Sequence, residues 1–207
     1  MAVTHLCAEL WPEAEGDAAR NSFDNALHRL RKLLGGDRHV QLQSGGLMLD
    51  TASCWTDVAA LSACLVQMES RLAEPTSDTG AAALLTLADR ALTLYQGDFL
   101  AGEDGLPDVQ QARERIRARW TRQLGEAGAH LQACGQPAQA AQIYQRVTEQ
   151  QPLAEDIYRR LIQCLIAQGR PAEAYEAYRR CRQQLSVVLG LKPAPQTDAL
   201  VAGLRNL

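Results

Sequence analysis

A segment that recurs 34 residues further along constrains this chain more than any other feature. Gly135-Gln136-Pro137-Ala138-Gln139-Ala140 and Gly169-Arg170-Pro171-Ala172-Glu173-Ala174 coincide at Gly, Pro and both Ala, an offset of 34 residues from 135 to 169. The same offset pairs Leu131 with Leu165, Ala133 with Ala167, Tyr144 with Tyr178 and Arg146 with Arg180. That period belongs to a helix-turn-helix unit, which hides its apolar face by stacking on its neighbours.

Each position of the unit has a physical reason. Leu124, Ala127, Gly128 and Leu131 recur at i, i+3, i+4 and i+7, and Tyr158, Leu161, Ile162 and Leu165 do the same one repeat later, so each set lines one helix face. Gly135 and Gly169 follow those helices, where a left-handed residue needs no Cβ. Pro137 and Pro171 open the next helix at a position that requires no N–H. Small Ala140 and Ala174 permit close helix approach, Tyr144 and Tyr178 cover the seam, and Pro152 closes the first copy. The pattern resembles a pair of tetratricopeptide repeats. Such repeats are stacking units and partner surfaces, so this resemblance speaks to fold more than to function.

The remaining chain is read against that body. Hydrophobic residues make up 46%, aromatics are few, and the net charge of −3 excludes a protein coated in basic charge; any nucleic-acid contact has to be local. Cys7, Cys54, Cys64, Cys134, Cys164 and Cys181 form no C-x-x-C and read as thiols on apolar helix faces. With no signal peptide and no long apolar run, the expected compartment is the cytoplasm, with no membrane partner.

Near the front, Thr4 is expected to cap a short helix containing Leu6, Cys7 and Leu10, ended by Trp11-Pro12. Asp17 is expected to cap a stronger helix reaching Leu34, with Phe23, Ala26, Leu27, Leu30, Leu33 and Leu34 as one continuous apolar stripe. Val40, Leu42, Leu47 and Leu49 then alternate around Gln43-Ser44-Gly45-Gly46, the pattern of a hairpin. Helix, turn, half-basic helix and hairpin make the back half of a winged helix-turn-helix.

Here a family resemblance becomes specific. Leu27-His28-Arg29-Leu30-Arg31-Lys32-Leu33-Leu34 is similar to the end of the recognition helix in response-regulator-type winged helices. Leu10 to Glu13 and Ala19 to Asn21 resemble the same region of the SARP-type (antibiotic regulatory) bacterial activators. In that family the winged helix joins a helical bacterial transcriptional activator domain of tetratricopeptide type. Leu94-Tyr95-Gln96-Gly97-Asp98-Phe99-Leu100 resembles the opening of that domain, and Leu189-Gly190-Leu191-Lys192-Pro193-Ala194-Pro195 its end. The family's winged helix starts with a small sheet and a first helix, and this chain opens after both; it is either a piece of a longer regulator or one cut to begin at Met1.

The expected fold is therefore all-α: a tetratricopeptide-like helical repeat domain (51–207) preceded by a truncated winged helix-turn-helix with a small β-hairpin (1–50). Asp57 or Thr56 would cap a helix with Val58, Leu61, Leu65, Met68 and Leu72 inward, and Pro75 to Gly80 a polar loop before its partner, Gly80 to Tyr95. Gly97 to Pro107 is the longest irregular stretch. A long helix runs to Ala133, a Tyr175 to Leu189 helix ends the second repeat, and a terminal helix from Thr197 to Leu204 caps the stack through Leu200, Val201 and Leu204.

By resemblance the whole protein binds promoter DNA and recruits RNA polymerase or another protein, with a homodimer as one arrangement. The residues this places on DNA are Asn21, Ser22 and Asn25 near base edges and His28, Arg29 and Lys32 between bases and phosphates. Arg38, with His39, would touch phosphate at the base of the wing. These residues span more than one helix face, so Asn25, Arg29 and Lys32 form the leading set, and Arg31 lies nearest the core. A basic C-terminal turn is also what a solvated helix end looks like, since it complements the macrodipole; the hairpin behind it and the resemblance favour the recognition helix. The wing tip carries no Arg or Lys, and residues 1–50 have five Arg or Lys against seven acids.

On the repeats, Tyr158, Arg159, Gln163 and Arg170 are the expected protein-binding members of the concave side. Arg113, Arg115, Arg117, Arg119 and Arg122 crowd one helix and read as a solvated face with Glu114 and Glu126 as partners, and Trp120 among them reads as packing. The four His form no ligand pattern, and no nucleophile elbow, phosphate loop or carboxylate pair appears; no catalytic residue, metal ligand or cofactor is expected. The rival reading is a protein–protein interaction scaffold in which the front fifty residues never touch DNA. A third, a regulatory domain of a larger ATPase-type regulator, differs only in what lies outside the chain.

Overall fold

The computed structural model describes residues 1–75, 77–103 and 105–203, with the backbone alone at Asp78. The chain forms two compact units, Met1–Ala60 and Leu61–Leu207.

The front unit begins with α1 (Val3–Leu10), one residue ahead of the expected Thr4 cap. Its start is set by strand pairing instead. Val3 N–H donates to Gly45 O at 2.9 Å, Leu47 N–H donates to Met1 O at 2.8 Å, and Ala2 bridges Gly46. The second helix, α2 (Gly16–Leu33), has Glu15 in the cap position and Asp17 inside its first turn, where a carboxylate suits the positive end of the helix. The hairpin pairs β1 (Val40–Gln43) with β2 (Gly46–Leu49), Val40 opposite Leu49 and Gln43 opposite Gly46. Ser44 and Gly45 connect them with φ of 50° and 77°, the two positive values that a type I′ turn requires.

These pieces close over Val3, Cys7, Ala19, Phe23, Leu27 and Val40. The expected stripe of α2 is only half used. Phe23 and Leu27 are buried with Ala19, whereas Ala26, Leu30 and Leu34 are exposed and Leu33 is 84% exposed. The core touches α2 over its first three turns, so the rear leucines have nothing above them within this unit. Arg31 ties the rear of the helix to the hairpin, its Nε and Nη2 donating to Val40 O at 3.1 and 2.9 Å.

The second unit is a stack of antiparallel helix pairs, joined to the first through α3 (Asp57–Leu72), which spans the division between them. Thr56 Oγ1 caps α3 by accepting from Ala59 N–H at 3.2 Å. Next comes α4 (Asp78–Leu94), two residues earlier than expected because Ser77 Oγ accepts from Gly80 N–H and so starts the helix inside the polar loop. Then follow α5 (Pro107–Ala133), α6 (Pro137–Gln150), α7 (Glu155–Ala167) and α8 (Pro171–Leu189). The last helix, α9 (Pro195–Ala202), buries Thr197 and Val201 and half-buries Leu200; Leu204 lies outside the described residues.

The repeat chemistry is visible atom by atom. After α5, Gly135 (φ 73°) donates to Gln132 O and Gln136 N–H to Leu131 O; after α7, Gly169 (φ 69°) donates to Ile166 O and Arg170 N–H to Leu165 O. Both ends are Schellman caps, which satisfy otherwise orphaned helix carbonyls. One close approach is peculiar to the first copy. Tyr144 lies over Gly128, where a Cβ would come within 2.4 Å of its ring.

Trp120 is fully buried, donates from Nε1 to Ala91 O at 3.1 Å, and stacks on Tyr95 with ring centroids 4.4 Å apart. Glu155 Oε1 fastens α9 to the stack by accepting from Ala194 N–H and the Thr197 hydroxyl. Cys7, Cys64, Cys164 and Cys181 are buried, Cys54 and Cys134 half-buried, and all six are free thiols.

Candidate nucleic-acid interface

The candidate interface is the side of α2 that faces away from its core. At about 100° per residue, Asn21, Asn25, His28 and Lys32 fall within an arc of about 60° centred opposite Ala19, Phe23 and Leu27. Arg29 and Ser22 extend that arc on one side. All are exposed except half-buried Ser22. Among the described residues His28, Arg29 and Lys32 make no ion pair or hydrogen bond, and neither do the side chains of Asn21, Ser22 and Asn25. Asn25 and Lys32 sit on the central line with Asn21 and His28, while Arg29 flanks it.

Other charges on α2 are already engaged. Arg20 Nε donates to Asp24 Oδ2 at 3.2 Å, and its guanidinium lies 5.5 Å from the centre of the Phe23 ring. Arg31 holds the hairpin, which agrees with its expected place near the core.

At the base of the wing a directional chain of hydrogen bonds fixes Arg38. Its Nε donates to His39 Nε2 at 3.0 Å, which makes Nδ1 the protonated ring nitrogen; that nitrogen donates to Ser53 Oγ at 3.0 Å. Ser53 Oγ in turn donates to Asp50 Oδ2 at 2.7 Å. The Ser53 hydroxyl and the Ala52 N–H hold the Asp50 carboxyl below the usual carboxylate value. Arg38 is therefore an exposed cation oriented through its Nε, and its terminal N–H groups make no hydrogen bond among the described residues. Asp50 and Ser53 escaped the sequence reading. The Asp-x-x-Ser spacing of an Asx turn was the signal for them.

The expected protein-binding residues are not all at the surface. Tyr158 is 1% exposed, packed with Cys181 and Leu185, and is corrected to a core residue; it belongs to the same apolar face as Leu161, Ile162 and Leu165, which excludes it from the concave side. Burial pushes its hydroxyl up and the neighbouring Cys181 thiol up to about 12. Arg159 is half-buried and Gln163 exposed, one turn apart on α7. Arg170 lies in the following turn and is bound to Glu173 at 2.7 and 2.6 Å. The open groove between α5 and α7, about 510 Å³, is lined on α7 by Asp156, Ile157 and Arg160, while Arg170 lines a second groove with Leu161, Leu165 and Glu173.

The crowded arginines of α5 have fixed tasks, with other partners than expected. Arg113 donates to Phe99 O and Leu100 O, Arg117 pairs with Asp98, and Arg119 pairs with Glu69, while Glu126 takes Arg160. Arg122 reaches Glu69 only at 4.0 Å.

A model of the bacterial transcriptional activator domain matches residues 56–205, nearly the whole of the helical stack. The chain belongs to this family. Relatives of this activator-domain protein include the transcriptional regulatory protein EmbR of Mycobacterium tuberculosis (strain ATCC 25618 / H37Rv) and of Mycobacterium bovis (strain ATCC BAA-935 / AF2122/97). Each is 29% identical over 213 residues, covering 96% of this chain and 51% of the relative. The fold also resembles the solved structure of M. tuberculosis EmbR in complex with a low-affinity phosphopeptide, with TM-score 0.68 and 23% identity over all of this chain and 55% of that one. The activator-domain chain thus spans about half the length of the curated relatives it matches. Among its described residues, no helix is long and apolar enough to cross a membrane.

Proposed function

We propose that this chain is part of a cytoplasmic, promoter-binding transcriptional activator. In this reading residues 1–50 act as the DNA-binding domain and residues 51–207 as the domain that meets RNA polymerase or another protein, in a monomer or homodimer. Helix α2 lies in the major groove, with Asn21, Asn25 and Ser22 toward base edges and His28, Arg29 and Lys32 toward bases and phosphates. Arg38 meets a phosphate beside the wing.

One observation carries the reading: α2 presents a stripe of amides and cations, unengaged among the described residues, on the side opposite its buried face. The family and the EmbR relatives, named as transcriptional regulators, support it. The acidic balance of residues 1–50 makes the attraction local, so specificity rests on the helix and not on a broad field.

The test is a salt titration of promoter binding by the full-length parent protein. Arg29→Ala with Lys32→Ala is expected to lower the slope of log affinity against log salt by about 1.8, two phosphate contacts at about 0.9 each. An unchanged slope and affinity would favour the interaction scaffold, in which α2 never meets DNA.

A further inference from the structure

The end of α8 exposes a run of aliphatic side chains. The last residue that α8 buries is Leu185, yet the helix runs on to Leu189. Val187, Val188 and Leu189 are consecutive, so at about 100° per residue they face three different sides of that final turn. Val187 is 77% exposed, and Val188 and Leu189 are half exposed or more. Gly190, at φ 67°, then stops the helix, and Leu191 beyond it is 56% exposed. A surface helix ordinarily confines its apolar residues to one stripe; this turn shows them on all sides.

Charge is segregated to the same place. From Ala177 to Thr197 the chain carries Arg179, Arg180, Arg182 and Lys192 and no acidic residue, within a protein of net charge −3. Arg179 is paired with Glu176 at 3.0 Å. Arg180, Arg182 and Lys192 are exposed and form no ion pair among the described residues. An exposed aliphatic turn and three cations without an ion pair among the described residues thus share one acid-free stretch of chain.

We infer that this helix end docks an acidic amphipathic helix of a protein partner, whose apolar stripe covers Val187, Val188 and Leu191 while its flanking carboxylates meet Arg180, Arg182 and Lys192. Burying the aliphatic turn supplies the affinity, and the opposite charges set orientation and encounter rate. A nucleic acid would use the cations and leave the aliphatic turn in water. An anionic lipid surface would call for a long free amphipathic face, and the opposite side of α8 is locked in the stack through Ala174, Tyr178 and Cys181. The inference gives a surface and a chemistry to the protein partner proposed above. The DNA reading rests on α2 and is tested separately, so either can fail alone.

The probe is a synthetic fluorescein-labelled helix of about 18 residues, with Leu at i, i+3, i+4 and i+7 and Glu on both flanks, titrated against the whole chain. Its lysine-flanked counterpart is the control. The glutamate peptide is expected to bind, more weakly at high salt, and the control to bind at least about tenfold more weakly. Arg180→Glu with Arg182→Glu, and separately Val187→Ser with Leu191→Ser, are each expected to weaken binding by about tenfold or more. Thermal unfolding should hardly move, because all four side chains are exposed. Absence of binding, equal binding of the control, or unchanged binding by both variants overturns the inference. So does concentration-dependent self-association that disappears in Val187→Ser with Leu191→Ser, which would make a second copy the occupant. Loss of phosphatidylserine-vesicle binding in the same variants would make it a membrane.

Discussion

The helical stack and the front unit solve the burial problem in different ways. In the stack, Trp120, Tyr144 and Tyr158 lie fully beneath the surface among Leu124, Leu131, Ile157 and Ile162. Repeat helices there pack against neighbours on two sides, so their apolar stripes are covered, the last turn of α8 excepted. In the front unit the largest buried side chain is Phe23, and Leu30, Leu33 and Leu34 of the same helix face outward. Helix α2 is held on one side only, by a small core and by the Arg31 bonds to Val40 O. A strongly amphipathic sequence is thus buried only as far as its neighbours reach, and the helix least covered is the one with a polar stripe left to offer.

The sharpest way to break this contrast is Trp120→Ala. Losing a fully buried indole, its stack on Tyr95 and its bond to Ala91 O is expected to cost about 3–5 kcal/mol, read as a lower urea midpoint for the helical stack. Gly128→Ala comes next. The new methyl would press on the Tyr144 ring, and overpacking of about 1–3 kcal/mol is expected by the same measurement. In the front unit, Arg31→Ala removes two bonds to one carbonyl. A loss of about 1.5 kcal/mol is expected, seen as faster hydrogen exchange in β1 with the exchange of α6 and α7 unchanged.

The smallest effect is electrostatic. The hydrogen bond from Arg119 holds the Glu69 carboxyl below its usual value of 4.5, with burial working against it. A depressed folded-state value stabilises the protein fully above pH 4.5, and that contribution disappears as the pH falls below it. Melting temperature measured against pH should therefore fall less steeply below 4.5 in Glu69→Gln than in the parent chain.

Much of this fold could be read in the sequence because its signals are local or periodic. The two Schellman caps follow from single glycines at 135 and 169, and the type I′ turn from Ser44-Gly45. The polar side of α2 is legible only in part: the sequence favours Asn25, Arg29 and Lys32, whereas Asn25 and Lys32 share the side opposite the core with Asn21 and His28 and Arg29 flanks it. Of the residues expected on the concave side, Tyr158 is buried. Its neighbours Asp156, Ile157 and Arg160 line the groove between α5 and α7. One residue is about 100° of rotation, and only the packing of α7 against two neighbours fixes that angle.

By itself the sequence determined the repeat, the breaks between helices, the hairpin and the family, since each depends on residues within a few turns of one another or on a fixed period. The tertiary structure decided which leucines of α2 are covered, which acids the α5 arginines meet, where α1 begins and that α8 outruns its own core. Those outcomes depend on groups far apart along the chain, such as Arg119 with Glu69 or Val3 with Gly45. No spacing rule encodes such meetings, because they are chosen by the competition among all surfaces that reach the same place.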